Sequence, residues 1–171
     1  MIANSSSRQI IVHYLASIAY HTQKAIRNAE DDYWKFSAGN QVRTPEEILR
    51  HMTSLLGYIK TLSEGGTFKP EPLKTIQDEI DRFHQFLDEV SKQLDRDLPL
   101  REVTEFQLLQ GPLSDIMTHV GQLSMLRRLY GDPVPPENFV YADISSNRLG
   151  KNQPASRSPD KDWPEELKKK L

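Results

Sequence analysis

The chain has 171 residues and a formal net charge of −2, from 22 Lys and Arg against 24 Asp and Glu. That balance lacks the concentrated positive field that phosphate neutralisation requires and argues against a nucleic-acid binder. Cysteine is absent, which excludes disulfide scaffolds, thiolate zinc sites, iron–sulfur clusters and cysteine nucleophiles together.

The length fits one domain with an appendage and suffices to bury a core. No apolar run approaches the roughly 18 residues of a membrane span. The opening MIANSSSRQIIV lacks the basic start and apolar stretch of a signal peptide. The expectation is therefore a cytoplasmic protein that binds neither membrane nor nucleic acid.

Helical periodicity first appears from about Ser7 to Ala29. There Ile11, Leu15, Ile18, Thr22, Ala25 and Ala29 recur at steps of three and four and share one face. Asp31-Asp32 and Ser37-Ala38-Gly39-Asn40 mark a loop. A second helix starts sharply, with Thr44 as cap, Pro45 in the first helical position and Glu47 closing a capping box. Its stripe is Ile48, Met52, Leu55, Ile59 and Leu62, and Gly65-Gly66 stop it.

A third helix is expected over Leu73–Leu94. Ile76, Ile80, Phe83, Leu87, Val90 and Leu94 form one stripe, with charged residues elsewhere. Val103, Phe106, Leu108 and Leu109 suggest a short extra helix before Gly111. A fourth long helix is expected from Gly111-Pro112 to Tyr130-Gly131, with a wide arc of Leu113, Ile116, Met117, Val120, Leu123, Leu126 and Leu129.

Beyond Gly131 the prolines crowd and the periodicity ends. The expected organisation is an all-α four-helix bundle over residues 1–131 and an irregular proline-rich extension over 132–171. The extension is expected to fold back across the bundle, over a pocket mouth or onto a second subunit. Its end, with a turn after Pro164 and the run Lys168-Lys169-Lys170, reads as a solvated tail.

The chemistry-bearing candidates are polar groups within the apolar arcs. His51 lies three after Ile48 and four before Leu55, on the core face of the second helix. Asp115 and His119 are four apart, one turn on one face, with Gln122 three further on. Ile116 and Val120 flank them, so the group would face the bundle interior. A buried carboxylate needs a cation or a strong donor beside it. Two imidazoles and one carboxylate are a ligand set for Zn(II), Ni(II), Fe(II) or Mn(II).

Plainer readings stand beside this one. A histidine on an apolar face is more often a hydrogen-bonded core residue, and an aspartate early in a helix is favoured by the dipole alone. His13 and His21 lie on the first helix, and His84 reads as a boundary residue beside the third stripe. Tyr33 and Trp34 read as packing, and Arg127-Arg128 as complements to the helix dipole.

Two segments carry a family resemblance. GPLSDIMTHVGQLSMLRRLYG (Gly111–Gly131) resembles the fourth helix of the DinB/YfiT-like superfamily of metalloenzymes, with His119-Val120-Gly121-Gln122-Leu123 matching its second histidine and the residues after it. RTPEEILRHMTSLLGY (Arg43–Tyr58) resembles that family's second helix, whose histidine falls at His51. The likeness covers about residues 7–131, and ENFVYADISSNRLG (Glu137–Gly150) is similar to a tail in some members. It implies a four-helix bundle, often a homodimer, holding a divalent metal with three histidines. The sequence departs from this at one ligand, since Asp115 stands where the family has histidine.

The resemblance implies a metal-dependent hydrolase or thiol-dependent transferase acting on a small molecule. His51, Asp115 and His119 would be the ligands, Gln122 would orient the substrate or a metal-bound water, and Tyr58, two turns beyond His51, would be a proton donor. The alternative is a non-catalytic homodimeric or partner-binding scaffold with a degenerate site, motivated by the histidine-to-aspartate departure. A DNA-damage role rests on the family name alone, and the charge balance opposes it.

Overall fold

The computed structural model describes residues 6–96, 98–101 and 103–158. The expected turn after Pro164 and the lysine run lie outside them. The described chain is helical: α1 (Ser6–Ile26), α2 (Pro45–Glu64), α3 (Ile76–Asp95), the short α4 (Glu105–Leu108) and α5 (Ser114–Tyr130), with 3-10 turns at Asp31–Lys35 and Phe139–Tyr141. No β-strand occurs among the described residues. The four long helices form a closed ring in which α1 packs on α5, α5 on α2, α2 on α3 and α3 on α1. The α2/α5 and α1/α3 seams therefore lie on opposite sides of the bundle.

Local chemistry sets the helix starts. Thr44 N–H donates to Glu47 Oε2 at 2.8 Å, while the Glu47 N–H returns to Thr44 Oγ1, so two orphan donors of α2 are satisfied reciprocally. Those bonds to Thr44 hold the Glu47 carboxyl below its ordinary range. Thr75 caps α3 through the Asp78 N–H at 3.1 Å. Helix α3 thus begins at Ile76, and Leu73, expected inside it, lies ahead of the cap and is exposed. Helix α1 ends at Ile26, three residues earlier than its pattern suggested. At α2 the buried face turns toward Leu49 and Leu56, leaving Leu55 and Leu62 only half-buried.

The core is one cluster. Leu15 and Ile18 of α1, Ile48 and Met52 of α2, Phe83 and Leu87 of α3, and Ile116 and Leu123 of α5 are almost fully buried. Each such side chain contributes about 1.5–3 kcal/mol through removal from water. Tyr33 and Trp34 are buried as packing groups, and the Tyr33 hydroxyl donates to the Leu123 carbonyl at 2.8 Å. Gly57 allows a close approach: a Cβ there would fall 1.9 Å from the Phe68 ring. Glu79, 2% exposed, is held between Arg50 (3.0 Å) and Arg82 and accepts the Leu73 N–H at 2.9 Å. It ties α2 to α3.

Three expectations change. The last helix does not begin at Gly111-Pro112; α4 runs into a wide turn over Leu109–Leu113 before α5. Leu129, placed in the buried arc, is 60% exposed on the outer face of α5 with Met125. Arg127 does more than complement the dipole of its own helix. It is 4% exposed and donates to the carbonyls of Ala25 and Arg27, each at 3.1 Å, satisfying the end of α1. It also pairs with Asp132.

Beyond Gly131, which ends α5 at φ +96°, the chain returns over α1 and α3 as a strap. Glu137 accepts from Tyr20 at 2.8 Å and pairs with Lys24 at 3.1 Å. Arg27 donates to the carbonyls of Gln153 and Pro154 at 2.7 and 3.2 Å. Leu149 enters the core at 6% exposure, and Lys151 pairs with Asp81 of α3 at 2.8 Å.

Candidate metal centre

The α2/α5 seam gathers His51, Asp115 and His119, with one donor atom from each within 4.8 Å of the others. His51 sits two turns into α2, its level fixed by the Thr44 cap. Asp115 and His119 lie in the first turns of α5, whose direction is set by the preceding wide turn. There Gly111 leaves helical geometry (φ −97°, ψ −106°), Pro112 offers no N–H, and Ser114 Oγ donates to the Leu109 carbonyl at 2.6 Å.

Within the group, His51 Nε2 is 3.7 Å from Asp115 Oδ2, and His119 Nδ1 is 3.2 Å from Asp115 Oδ1. The two rings stand 4.8 Å apart between centroids. His119 Nδ1 is also 2.7 Å from the main-chain oxygen of Asp115. Both neighbours of Nδ1 are acceptors, so that nitrogen donates, and Nε2 is the nitrogen left over for a ligand bond.

Exposure divides the three. The side chain of His119 is 8% exposed, that of His51 31% and that of Asp115 44%. The site therefore lies at the rim of the seam, which corrects the expectation of a group deep in the interior. A core carboxylate without a cation would be costly; at the rim, water carries much of its charge. Burial, then the neighbouring cationic Arg43, then His119, hold His51 below the ordinary imidazole range, and Asp115 opposes them. His51 is accordingly neutral at pH 7 and able to act as a ligand.

The donor set fits a divalent ion of the zinc or iron type. Donors bonded at about 2.1 Å to a common ion stand about 3–3.5 Å apart, so the present 4.8 Å span calls for a contraction of about 1.3–1.8 Å. The two half-open side chains can supply it against a fixed His119.

The other two candidates lie further along the same two helices. Tyr58 is 48% exposed and, seven residues beyond His51, is about 10 Å further along α2. Gln122 is exposed one turn beyond His119. Arg43 was missed; its signal was an arginine immediately ahead of a capped helix that carries a ligand histidine two turns in. Two cavities, of ≈ 500 and ≈ 430 Å³, lie beside the strap, and the triad lines neither.

No protein-family model matches the chain, and neither does any curated protein or solved structure.

Proposed function

We propose that the protein is a divalent-metal-dependent enzyme of the DinB-like class, a hydrolase or thiol-dependent transferase acting on a small molecule. The observation that carries this reading is the convergence of His51, Asp115 and His119, drawn from two helices, within 4.8 Å. The ion (Zn, Ni, Mn or Fe) would supply Lewis acidity toward an oxygen or sulfur nucleophile. His119 would fix the ion's position, because its ring is held by the Asp115 main chain. The open side at Asp115 would admit substrate, with Gln122 orienting it from the next turn and Tyr58 donating a proton from the α2 surface. The protein would work as a cytoplasmic homodimer, with the exposed Met125 and Leu129 of α5 as the apolar part of the shared face.

A second reading has its own observation. Asp115 already lies within reach of both imidazoles, so the three side chains could satisfy one another in a non-catalytic, partner-binding bundle.

Elemental analysis of protein purified without an affinity tag, with thermal melts in added Zn(II), Ni(II) and Mn(II), separates the two. Bound metal near one per chain and a raised Tm support the enzyme. A metal-free protein that none of the ions stabilises supports the scaffold.

A further inference from the structure

Two of the five histidines belong to the triad, and the other three all touch the strap. His13 Nδ1 is 3.5 Å from Ser146 Oγ. The His21 ring lies against Phe139 with centroids 3.9 Å apart. His84, expected at the boundary of α3, is instead 5% exposed and engaged at both ring nitrogens.

The bonds at His84 suit the neutral ring. Nδ1 lies 2.6 Å from the Leu149 carbonyl, which can only accept, so Nδ1–H donates. Nε2 is then the acceptor, 2.8 Å from the Gln23 side-chain amide nitrogen, which donates. A second proton on the ring would point at an amide NH₂ and place a charge where almost no water reaches. Gln23 would have to turn its amide over, and burial of the cation would remain. Asp81 of α3 and Lys151 of the strap act on His84 with opposite signs and pair with each other at 2.8 Å. α1 contributes only the uncharged Gln23. Burial outweighs the Leu149 hydrogen bond, which favours the charged ring, and holds His84 below the ordinary imidazole range.

The other strap anchor behaves differently. Glu137 is ion-paired with Lys24 and hydrogen-bonded by Tyr20, and its carboxyl is held low despite burial. It stays charged through mild acid. Beside it, burial holds the His21 ring below the ordinary imidazole range, with Glu137 opposing and Lys24 adding to the effect. Arg27 holds the far end through the Gln153 and Pro154 carbonyls.

We infer that residues 142–152 form an acid-released latch: protonation of His84 expels Leu149 from the α1/α3 seam, while Glu137 and Arg27 keep the strap tethered at both ends. The direction follows from linkage. In the released state His84 returns toward about 6.5 and binds its proton more readily than in the latched state. The latch is thus fully favoured above about pH 6.5 and loses up to about tenfold in its closing equilibrium for each pH unit below that. Release withdraws Lys151 and Asn152 from the wall of the ≈ 430 Å³ cavity that Ile26, Ile76 and Ile80 also line.

Hydrogen exchange of the full chain followed by mass spectrometry from pH 7.5 to 5.0, corrected for intrinsic exchange, tests this. Peptides within 142–152 are expected to lose protection, by up to about thirtyfold at pH 5.0, while peptides from α2, α5 and 133–139 keep theirs. Unchanged protection, or loss only together with the whole bundle, overturns the inference. The His84→Gln variant keeps a donor and an acceptor without a titratable charge, and its segment should stay protected at pH 5.0. Persistent pH dependence in that variant overturns the inference. Should the variant fail to hold the segment at pH 7.5, the imidazole titration of His84 in the wild type, read by NMR, must share its midpoint with deprotection; a mismatch is equally fatal.

Discussion

The two opposite seams of the bundle each bring an imidazole to a helix interface, and they treat it in opposite ways. On the α1/α3 side both nitrogens of His84 are consumed by protein, one by the Leu149 carbonyl and one by Gln23. On the α2/α5 side His119 spends one nitrogen on the Asp115 main chain, and a carboxylate and a second imidazole converge beside it at the rim. Burial of the two histidines is similar, 5% and 7%, so burial does not distinguish them. The count of ring nitrogens left over does. A fully satisfied ring holds structure together; a ring with a nitrogen left over, beside other donors, is ready to bind an ion.

This contrast can be broken at several points. The largest effect is expected for His119→Ala, which should lower Zn(II) affinity by on the order of 100-fold or more, read by competition with a chromogenic chelator. His84→Ala should leave that affinity within about twofold and instead cost about 2–3 kcal/mol of unfolding free energy, because a buried carbonyl and amide lose their partner. Loss of metal in the His84 variant would erase the distinction between the seams.

At Asp115, substitution by Asn should weaken Zn(II) binding by about tenfold, and substitution by His should restore or exceed the native affinity. Equal affinities across the three would remove Asp115 from the ligand set. The pH dependence should be shallow at first. Because His51 is held below the ordinary imidazole range, protons compete with the ion only below about pH 6.5, and affinity should fall from there downward. The smallest effects are expected for Tyr58→Phe and Gln122→Ala, which should leave metal affinity unchanged within about twofold; any effect belongs to turnover.

Much of this was legible in the sequence, for local reasons. The Thr44–Glu47 box, the four apolar stripes and the i,i+4 pair Asp115 and His119 are set by neighbours within one or two turns. Pairing His51 with that turn needed the bundle as well, and the all-α reading supplied it. His84 was misread because its partner carbonyl, at Leu149, is 65 residues away in a segment without periodicity. Arg127 was underread for the same reason, since its acceptors Ala25 and Arg27 lie on another helix. The rim position of the triad depends on the wide turn at Gly111-Pro112, where a one-residue change in helical phase alters which face meets α2. Spacing alone does not report that phase.

The most direct test of the central claim is the side-chain ¹⁵N spectrum of the histidines during a Zn(II) titration at pH 7.5. The account predicts that His51 shifts and that His119 shifts at Nε2 while keeping its Nδ1 proton, saturating near one ion per chain, with His84 unmoved. A titration that leaves His51 and His119 where they began, or moves His84 with them, would contradict it.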